Sequence, residues 1–190
     1  MGIDVRLFVE DQLTAAVAEK ALLEADRAYS VLQLVFWHKD TIRKKVTDLN
    51  HSAKENLLYL VVTDQDTPDN CPAGAVESLG APLSPNLLYR FAVMEVESWI
   101  MADRENFAEF FSVRINEVPQ HPDEVSNPKE HLAGLIRKSG SKGIHQAGRG
   151  YGLTLGKFVS NCWNVSNAQK HSPSLKRTCQ RLQTFRLKRV

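Results

Sequence analysis

The amino-acid sequence predicts an α/β fold in which a mainly parallel, four-stranded sheet is flanked by helices. One observation is that four short apolar runs, rich in β-branched and aromatic residues, recur in the first half of the chain. A second is that segments with helical periodicity separate these runs. The third is residues 57–63, which are almost entirely apolar and do not alternate, as is typical of a strand buried on both faces under helices.

The expected elements of the first half follow in the order β-α-β-α-β-α-β. Strands are expected at residues 3–9, 30–37, 57–63 and 86–94. Helices are expected at residues 12–25, with Asp11 as the N-cap, at residues 40–53, and over a short segment that begins near Pro72. Because strands that alternate with helices pair in parallel through right-handed crossovers, all four strands should share one sheet.

The rest of the chain is expected to be helical. Helices are expected at residues 95–111, 129–138 and 153–163, and from Pro173 onwards with Ser172 as the N-cap. Residues 139–152 are rich in glycine and basic residues and are expected to form a flexible connection. Trp99 and Trp163 are expected in the core, and Asp103 on the surface beside Arg104.

Charge is divided unevenly along the chain. Residues 1–127 contain 11 Lys and Arg against 21 Asp and Glu, whereas residues 128–190 contain 13 Lys and Arg against one acid, Glu130. This division predicts an acidic, metal-binding half and a basic half that meets a polyanion. Two domains are expected: an α/β metal-binding core over residues 1–111, and a basic, helical C-terminal extension over residues 112–190 that packs on it. Alternatively, two solvated faces of opposite charge attract each other within the fold. The near absence of acids after residue 127 favours nucleic acid as the partner.

Composition also indicates a compartment. The three cysteines are scattered without metal-binding spacing, which fits a reducing cytoplasm. No apolar run is long enough to span a membrane, and residues 1–10 lack the pattern of a signal peptide. We therefore expect a cytoplasmic protein without a membrane partner, and the sequence is compatible with a homo-oligomer.

Three acids stand where two of the expected strands end. Glu10 follows the first strand, and Asp64 and Asp66 follow the third. Ligands of open α/β sheets bind outside the carboxyl ends of the strands, and residues at i and i+2 of a strand share a face. Since neighbouring carboxylates repel each other, a hard cation with oxygen ligands, Mg²⁺ or Mn²⁺, is the expected occupant. The alternatives are an Asp-rich turn for the pair and a helix-start role for Glu10.

These acids also carry a resemblance to a known domain. Leu7-Phe8-Val9-Glu10 before an Ala- and Glu-rich helix, followed by a strand that ends in Asp64-Gln65-Asp66, is similar to the Toprim domain. That domain is the metal-binding module of topoisomerases, primases and overcoming-lysogenization-defect (OLD) nucleases. Asp11 departs from the pattern, because Toprim proteins usually have glycine after the first-strand glutamate.

A second likeness covers nearly the whole chain. It is to a small prokaryotic family of unknown function whose members tend to be encoded beside ABC-type or AAA ATPases, in the manner of defence systems against phage. The motifs that resemble this family are Glu95-Val96-Glu97-Ser98-Trp99-Ile100-Met101-Ala102-Asp103, Asn127-Pro128-Lys129, Gly150-Tyr151-Gly152 and Ser172-Pro173-Ser174-Leu175.

The resemblance implies metal-dependent hydrolysis of phosphodiesters in DNA or RNA, with an ABC- or AAA-type ATPase as partner. The implied catalytic residues are Glu10, Asp64, Asp66, Glu97 and Lys129, and the implied metal ligands are Glu10, Asp64, Asp66 and Glu95. The residues expected to contact nucleic acid are Lys138, Lys142, Arg149, Tyr151, Lys176, Arg177 and Arg181. Glu95 and Glu97 diverge if both are helical, so one of them is expected to be only a first-turn acid.

Two other functions remain open from the sequence alone. One is a non-catalytic partner or sensor subunit of the ATPase, in which the basic half is an interface. The other is a receiver-like signalling module, with Glu10 and Asp11 after the first strand and Asp64 as the phosphate acceptor. The basic C-terminal half has no explanation in the receiver interpretation.

Overall fold

A computed structural model describes residues 2–53, 56–65, 82–139 and 149–188, with only the backbone of Arg149. Its sheet has the strand order β2-β1-β3-β4, and every neighbouring pair is parallel. The strands are β1 (Ile3–Val9), β2 (Tyr29–Phe36), β3 (Leu58–Asp64) and β4 (Leu87–Ala92). The predicted α/β fold with a parallel, four-stranded sheet is therefore confirmed.

Helices separate and follow the strands close to the expected positions. They are α1 (Gln12–Leu23), α2 (Lys39–Ser52), α3 (Val96–Ala102), α4 (Arg104–Phe111), α5 (Pro128–Lys138), α6 (Arg149–Asn161), α7 (Val165–Ala168) and α8 (Pro173–Thr184). Two short 3₁₀ turns, Ile115–Glu117 and Pro122–Glu124, connect α4 to α5. The helix expected near Pro72 lies outside the described residues.

Strand β3 divides the core into two layers. Its even-numbered residues Leu58, Leu60 and Val62 pack in one cluster with side chains of α1 and of the helices that follow β4. Tyr59 and Val61 pack on the other face against α2. Both faces of the strand are therefore covered, which is why residues 57–63 are apolar without alternation.

The strand order also fixes where a ligand site can form. The chain leaves β1 to build β2 on one side and returns to place β3 on the other, so β1 and β3 are neighbours with diverging connections. The crevice at such a reversal, outside the carboxyl ends of the strands, is where open α/β sheets bind ligands. Here that crevice lies between the ends of β1 and β3.

The helices after residue 111 share the core of the sheet. Side chains from α5, α6, α7 and α8 belong to the same buried cluster as β1 and β3. Trp99 and Trp163 are fully buried, and Trp163 Nε1 donates a 3.1 Å hydrogen bond to the carbonyl of Trp99. The expected core positions of both tryptophans are thus confirmed.

The single helix expected over residues 95–111 is interrupted at Asp103. Asp103 is buried with no exposed surface, so the prediction of a surface residue beside Arg104 is wrong. Its Oδ2 accepts hydrogen bonds from Asn106 Nδ2 at 2.8 Å and from the backbone N–H of Asn164 at 2.7 Å. The Asp103 carboxylate thus joins the start of α4 to the segment before α7. To make both bonds, the chain turns between α3 and α4.

The loop expected over residues 139–152 ends earlier than predicted. Helix α6 begins at Arg149, so Gly150, Tyr151 and Gly152 are helical, and the expectation of a flexible connection there is wrong. The reason is that Tyr151 begins a buried face that continues through Leu155, Phe158 and Val159, with helical spacing.

None of the described helices has the length and apolar character needed to cross a membrane.

Replacing Asp103 by alanine should destabilise the fold. The change removes the acceptor for two partly buried donors, and leaving such donors unpaired costs about 1–3 kcal/mol in total. Urea unfolding should show this loss, whereas Glu105→Ala, which removes an exposed acid from the same helix, should change the free energy of unfolding by less than about 0.5 kcal/mol. Equal, small effects of the two variants would contradict the structural role of Asp103.

Candidate functional site

Carboxylates from two strands and one turn meet at the carboxyl edge of the sheet. Glu10 follows β1, Asp64 ends β3, and Glu95 and Glu97 lie at the start of α3 after β4. Glu10 Oε1 accepts a 3.0 Å hydrogen bond from the backbone N–H of Asp64. The glutamate therefore lies at the β1–β3 crevice, as the sequence predicts. We call Glu10, Asp64, Glu95 and Glu97 the acidic cluster.

The Asp64 side chain joins β3 to α3. Its Oδ1 accepts a 2.8 Å hydrogen bond from the backbone N–H of Val96, the first residue of that helix. Glu95 occupies the N-cap position but makes no side-chain capping bond. Asp64 thus satisfies one of the N–H groups at the start of α3 that have no acceptor within the helix.

A strained turn carries the chain from β4 into α3. Met94 has a φ of 63°, a left-handed conformation that is uncommon for a residue with a side chain. Beside it, Ser174 Oγ accepts hydrogen bonds from Trp99 Nε1 at 2.6 Å and from the backbone N–H of Val93 at 3.4 Å. Asp123 Oδ2 in turn accepts from the backbone N–H of Ser174 at 2.9 Å. The start of α8 therefore supports the turn that presents Glu95 and Glu97.

The start of α5 approaches the same cluster. Glu95 Oε2 accepts a 2.8 Å hydrogen bond from the backbone N–H of Lys129, in the first turn of α5. The Lys129 side chain is exposed, and its charge lowers the pKa of Glu97, opposing the larger effects described next. Lys129 is thus brought to the acids, as the sequence predicts.

Two of the acids hold protons more tightly than ordinary carboxyl groups. Burial raises the pKa of Asp64 to about 9, and the charges of Glu97 and Glu10 add to the effect. Burial likewise raises the pKa of Glu97 to about 7, and the charge of Glu95 contributes further. Glu97 is only 4% exposed. At neutral pH the cluster therefore retains protons that isolated carboxyl groups would lose.

Tyr151 faces the acids rather than solvent. Its ring is 6% exposed, so the expectation that Tyr151 stacks on a base is wrong. The hydroxyl donates a long, 3.5 Å hydrogen bond to the carbonyl of Lys129. Burial, followed by the charges of Glu97 and Glu95, raises the pKa of Tyr151, so the phenol stays protonated beside the cluster.

Asp11 has the capping role expected from the sequence. Its Oδ1 accepts hydrogen bonds from the backbone N–H of Thr14 at 2.8 Å and from Thr14 Oγ1 at 2.9 Å. Its charge also contributes to the raised pKa values of Asp64 and Glu97. The residue that departs from the Toprim pattern therefore starts α1 and adds negative potential to the site.

The donor set suits a hard cation, although the described residues do not form a finished site. Within the described ranges, no group of three or more His, Cys, Asp or Glu side chains is arranged to hold a metal ion. One oxygen each of Glu10 and Asp64 is engaged by a backbone N–H. Asp66 lies outside the described residues. The donors are all carboxylate oxygens, whose repulsion a divalent cation would relieve, so the residues fit Mg²⁺ or Mn²⁺ chemically.

The basic residues expected to contact nucleic acid are placed less completely. Lys138 is exposed at the end of α5, and Lys176, Arg177 and Arg181 are exposed on α8. Lys142 lies outside the described residues, and only the backbone of Arg149 is described. The roles of Ser174 and Asp123 in supporting the turn before α3 were not predicted from the sequence. The Ser172-Pro173-Ser174 start of α8 indicated a helix cap but not its contact with Trp99.

Comparison with known proteins adds no family to this description. No family model matches the chain, and searches of curated proteins and of solved structures find no significant match.

The raised pKa of Asp64 predicts a specific pH dependence of stability without metal. Between the ordinary pKa of 3.8 and the folded value of about 9, the folded state keeps a proton that the unfolded state has released. This stabilisation is complete below the ordinary pKa and is lost as the pH rises towards the folded value. Asp64→Asn cannot ionise and keeps an acceptor for Val96. Its stability relative to the parent should therefore increase by about 1–3 kcal/mol between pH 5 and pH 8.

The measurement is urea unfolding in EDTA at a series of pH values. Asp48→Asn, which neutralises an exposed aspartate on α2, is the matched control and should follow the pH profile of the parent. Parallel profiles for Asp64→Asn and the parent would show that Asp64 ionises normally, against this account.

Proposed function

We propose that this protein is a metal-dependent phosphodiesterase that cleaves DNA or RNA at the acidic cluster. The observation that carries the proposal is the bond between Glu10 and the backbone of Asp64 at the β1–β3 crevice, where burial, followed by the charges of Glu97 and Glu10, raises the pKa of Asp64. Neighbouring buried carboxyl groups are unfavourable when ionised unless a cation joins them. The position agrees with the rule for ligand sites in open α/β sheets.

The roles follow from position. Glu10, Asp64 and Glu97, with Asp66 and Glu95, would hold one or two Mg²⁺ or Mn²⁺ ions. Such ions position a phosphate and lower the pKa of an attacking water. Near neutral pH the proton held by Asp64 must leave before its carboxylate can act as a ligand, so cation affinity should rise with pH.

Two other residues would act on the phosphate and on the acids. The exposed Lys129 ammonium, close enough to influence Glu97, would stabilise negative charge that develops on a phosphate beside the cluster. The Tyr151 hydroxyl stays protonated next to Glu95 and Glu97. It would therefore not serve as a base, and its bond to the Lys129 carbonyl would help to position the start of α5 beside the acids.

The biological setting rests on the resemblance alone. The likeness to a family encoded beside ABC-type or AAA ATPases supports a cytoplasmic nuclease that is coupled to an ATPase partner in defence against phage. The basic C-terminal half supports a polyanionic substrate.

One observation favours the non-catalytic alternative, in which the chain is a partner or sensor of the ATPase. Oxygens of Glu10 and Asp64 are already bonded to backbone N–H groups, which is a structural use of both carboxylates. The receiver-like alternative leaves the basic C-terminal half without a role.

Binding of Mn²⁺ separates the nuclease proposal from the non-catalytic alternative. Millimolar Mn²⁺ at pH 8 should raise the thermal unfolding midpoint of the parent protein, because a ligand that binds only the folded state stabilises it. Asp64→Asn should lose this stabilisation while it retains a cooperative transition. Asp48→Asn should respond to Mn²⁺ as the parent does.

Cleavage of labelled single-stranded and duplex DNA and RNA provides the second readout. Mg²⁺- or Mn²⁺-dependent cleavage should fall by at least about 100-fold in Asp64→Asn and remain unchanged in Asp48→Asn. An unfolding midpoint of the parent that does not respond to Mn²⁺ would support the non-catalytic alternative. Undiminished cleavage by Asp64→Asn would refute the assignment of the site.

A further inference from the structure

Arg90 lies in an unusual position for an arginine. It is in β4, the last strand of the sheet, with its side chain on the face that carries Leu88 and Ala92 and packs against the C-terminal helices. The side chain is only partly exposed. Its Nε donates a 3.2 Å hydrogen bond to Thr178 Oγ1 of α8. The guanidinium is therefore held at the junction of β4 and α8.

Two further arginines of α8 are close enough to act on Arg90 electrostatically. Arg177 and Arg181 are exposed and are four residues apart, so they project from the same side of the helix about 6 Å apart along its axis. We call Arg90, Arg177 and Arg181 the arginine cluster.

The cluster has no acidic counterpart among the residues that the structure describes. No ion pair joins any of its three guanidinium groups to an Asp or Glu there. Burial lowers the pKa of Arg90, and the charges of Arg181 and Arg177 lower it further. Like charges held together at a partly buried position are unfavourable unless an anion binds between them.

The cluster is close to the acidic cluster. Arg90 is the register partner of Val62, two residues before Asp64, which corresponds to about 7 Å along the strand. Residues two apart in a strand share a face. Arg90 follows Leu88 by two residues and Asp64 follows Val62 by two. Because Leu88 and Val62 pack in the same cluster, Arg90 and Asp64 lie on the same face of the sheet. Helix α8 begins at the Ser174 contact with Val93 and continues past Arg90. Arg90 and Asp64 are therefore about two residues apart along neighbouring strands of one face.

We propose that Arg90, Arg177 and Arg181 form a phosphate-binding site for the backbone of a nucleic acid whose neighbouring phosphate reaches the acidic cluster. Guanidinium groups match the oxygens of a phosphodiester, and Thr178 fixes the orientation of Arg90. Phosphate contacts of this kind set the register of a strand without reading its sequence. The inference rests on the proposed function for the identity of the polyanion, and it adds Arg90 as a binding residue.

Binding can be measured apart from cleavage. Short fluorescein-labelled DNA and RNA oligonucleotides are titrated with the full chain in EDTA, and fluorescence anisotropy is followed at several NaCl concentrations. Arg177→Gln and Arg181→Gln, both exposed and not expected to perturb folding, should each weaken binding by roughly 3- to 10-fold. Each should also reduce the slope of log affinity against log salt by about 1.

Two variants test the geometry. Arg90→Gln should weaken binding as the α8 variants do, and Arg90→Lys, which keeps the charge but loses the planar fork, should recover only part of the affinity. Arg114→Gln removes the same charge from an exposed arginine paired with Glu117 and should bind as the parent does.

The outcomes separate this inference from the proposed function. The phosphate site is overturned if the cluster variants bind the oligonucleotide like the parent, or if they lose no more affinity than Arg114→Gln does. This holds even if cleavage is observed. Displacement of the oligonucleotide by polyglutamate at equal charge concentration would assign the cluster to an acidic protein and overturn the inference. Selective loss of binding in the cluster variants would support it even if the parent chain cleaves nothing.

Discussion

Two hydrogen bonds tie together the carboxyl ends of the three neighbouring strands. Glu10 after β1 accepts from the backbone of Asp64 at the end of β3, and the Asp64 side chain accepts from Val96 after β4. Each bond joins segments that are distant in sequence, so the parallel sheet is needed to form them. The position of every other group at the site depends on this connection, because it fixes where α3 begins and therefore where Glu97 lies.

The same connection explains the electrostatics of the site. Burial of Asp64, followed by the charges of Glu97 and Glu10, raises the pKa of Asp64, so at neutral pH its carboxyl group keeps a proton unless a cation binds. The left-handed Met94 and the Ser174 contact hold the turn in place from the other side. A strained turn supported by a buried network is a typical setting for a functional site, since the surrounding packing must offset its conformational cost.

The sequence predicted the parts of this account that depend on local pattern. The apolar, non-alternating run of β3 determined the sheet type, and the acids that follow β1 and β3 identified the crevice. The surroundings of Asp103 and Tyr151 were predicted wrongly because distant segments supply them. Asp103 accepts from the backbone N–H of Asn164, and Tyr151 lies beside the acids after β4. The role of Arg90 could not be predicted from the sequence, because its partner lies on α8, which only the folded structure places beside β4.

The most direct test of the central claim is the location of a bound cation. Crystals soaked in Mn²⁺ at pH 8 would reveal the ion by its anomalous scattering. The account predicts a peak in the crevice between β1 and β3, with oxygens of Glu10, Asp64 and Glu97 about 2.0–2.3 Å from it, and a rearranged bond between Asp64 and Val96. A crevice without a peak, in which the Asp64–Val96 bond is unchanged, would show that the carboxylates only hold the fold together and would contradict the account.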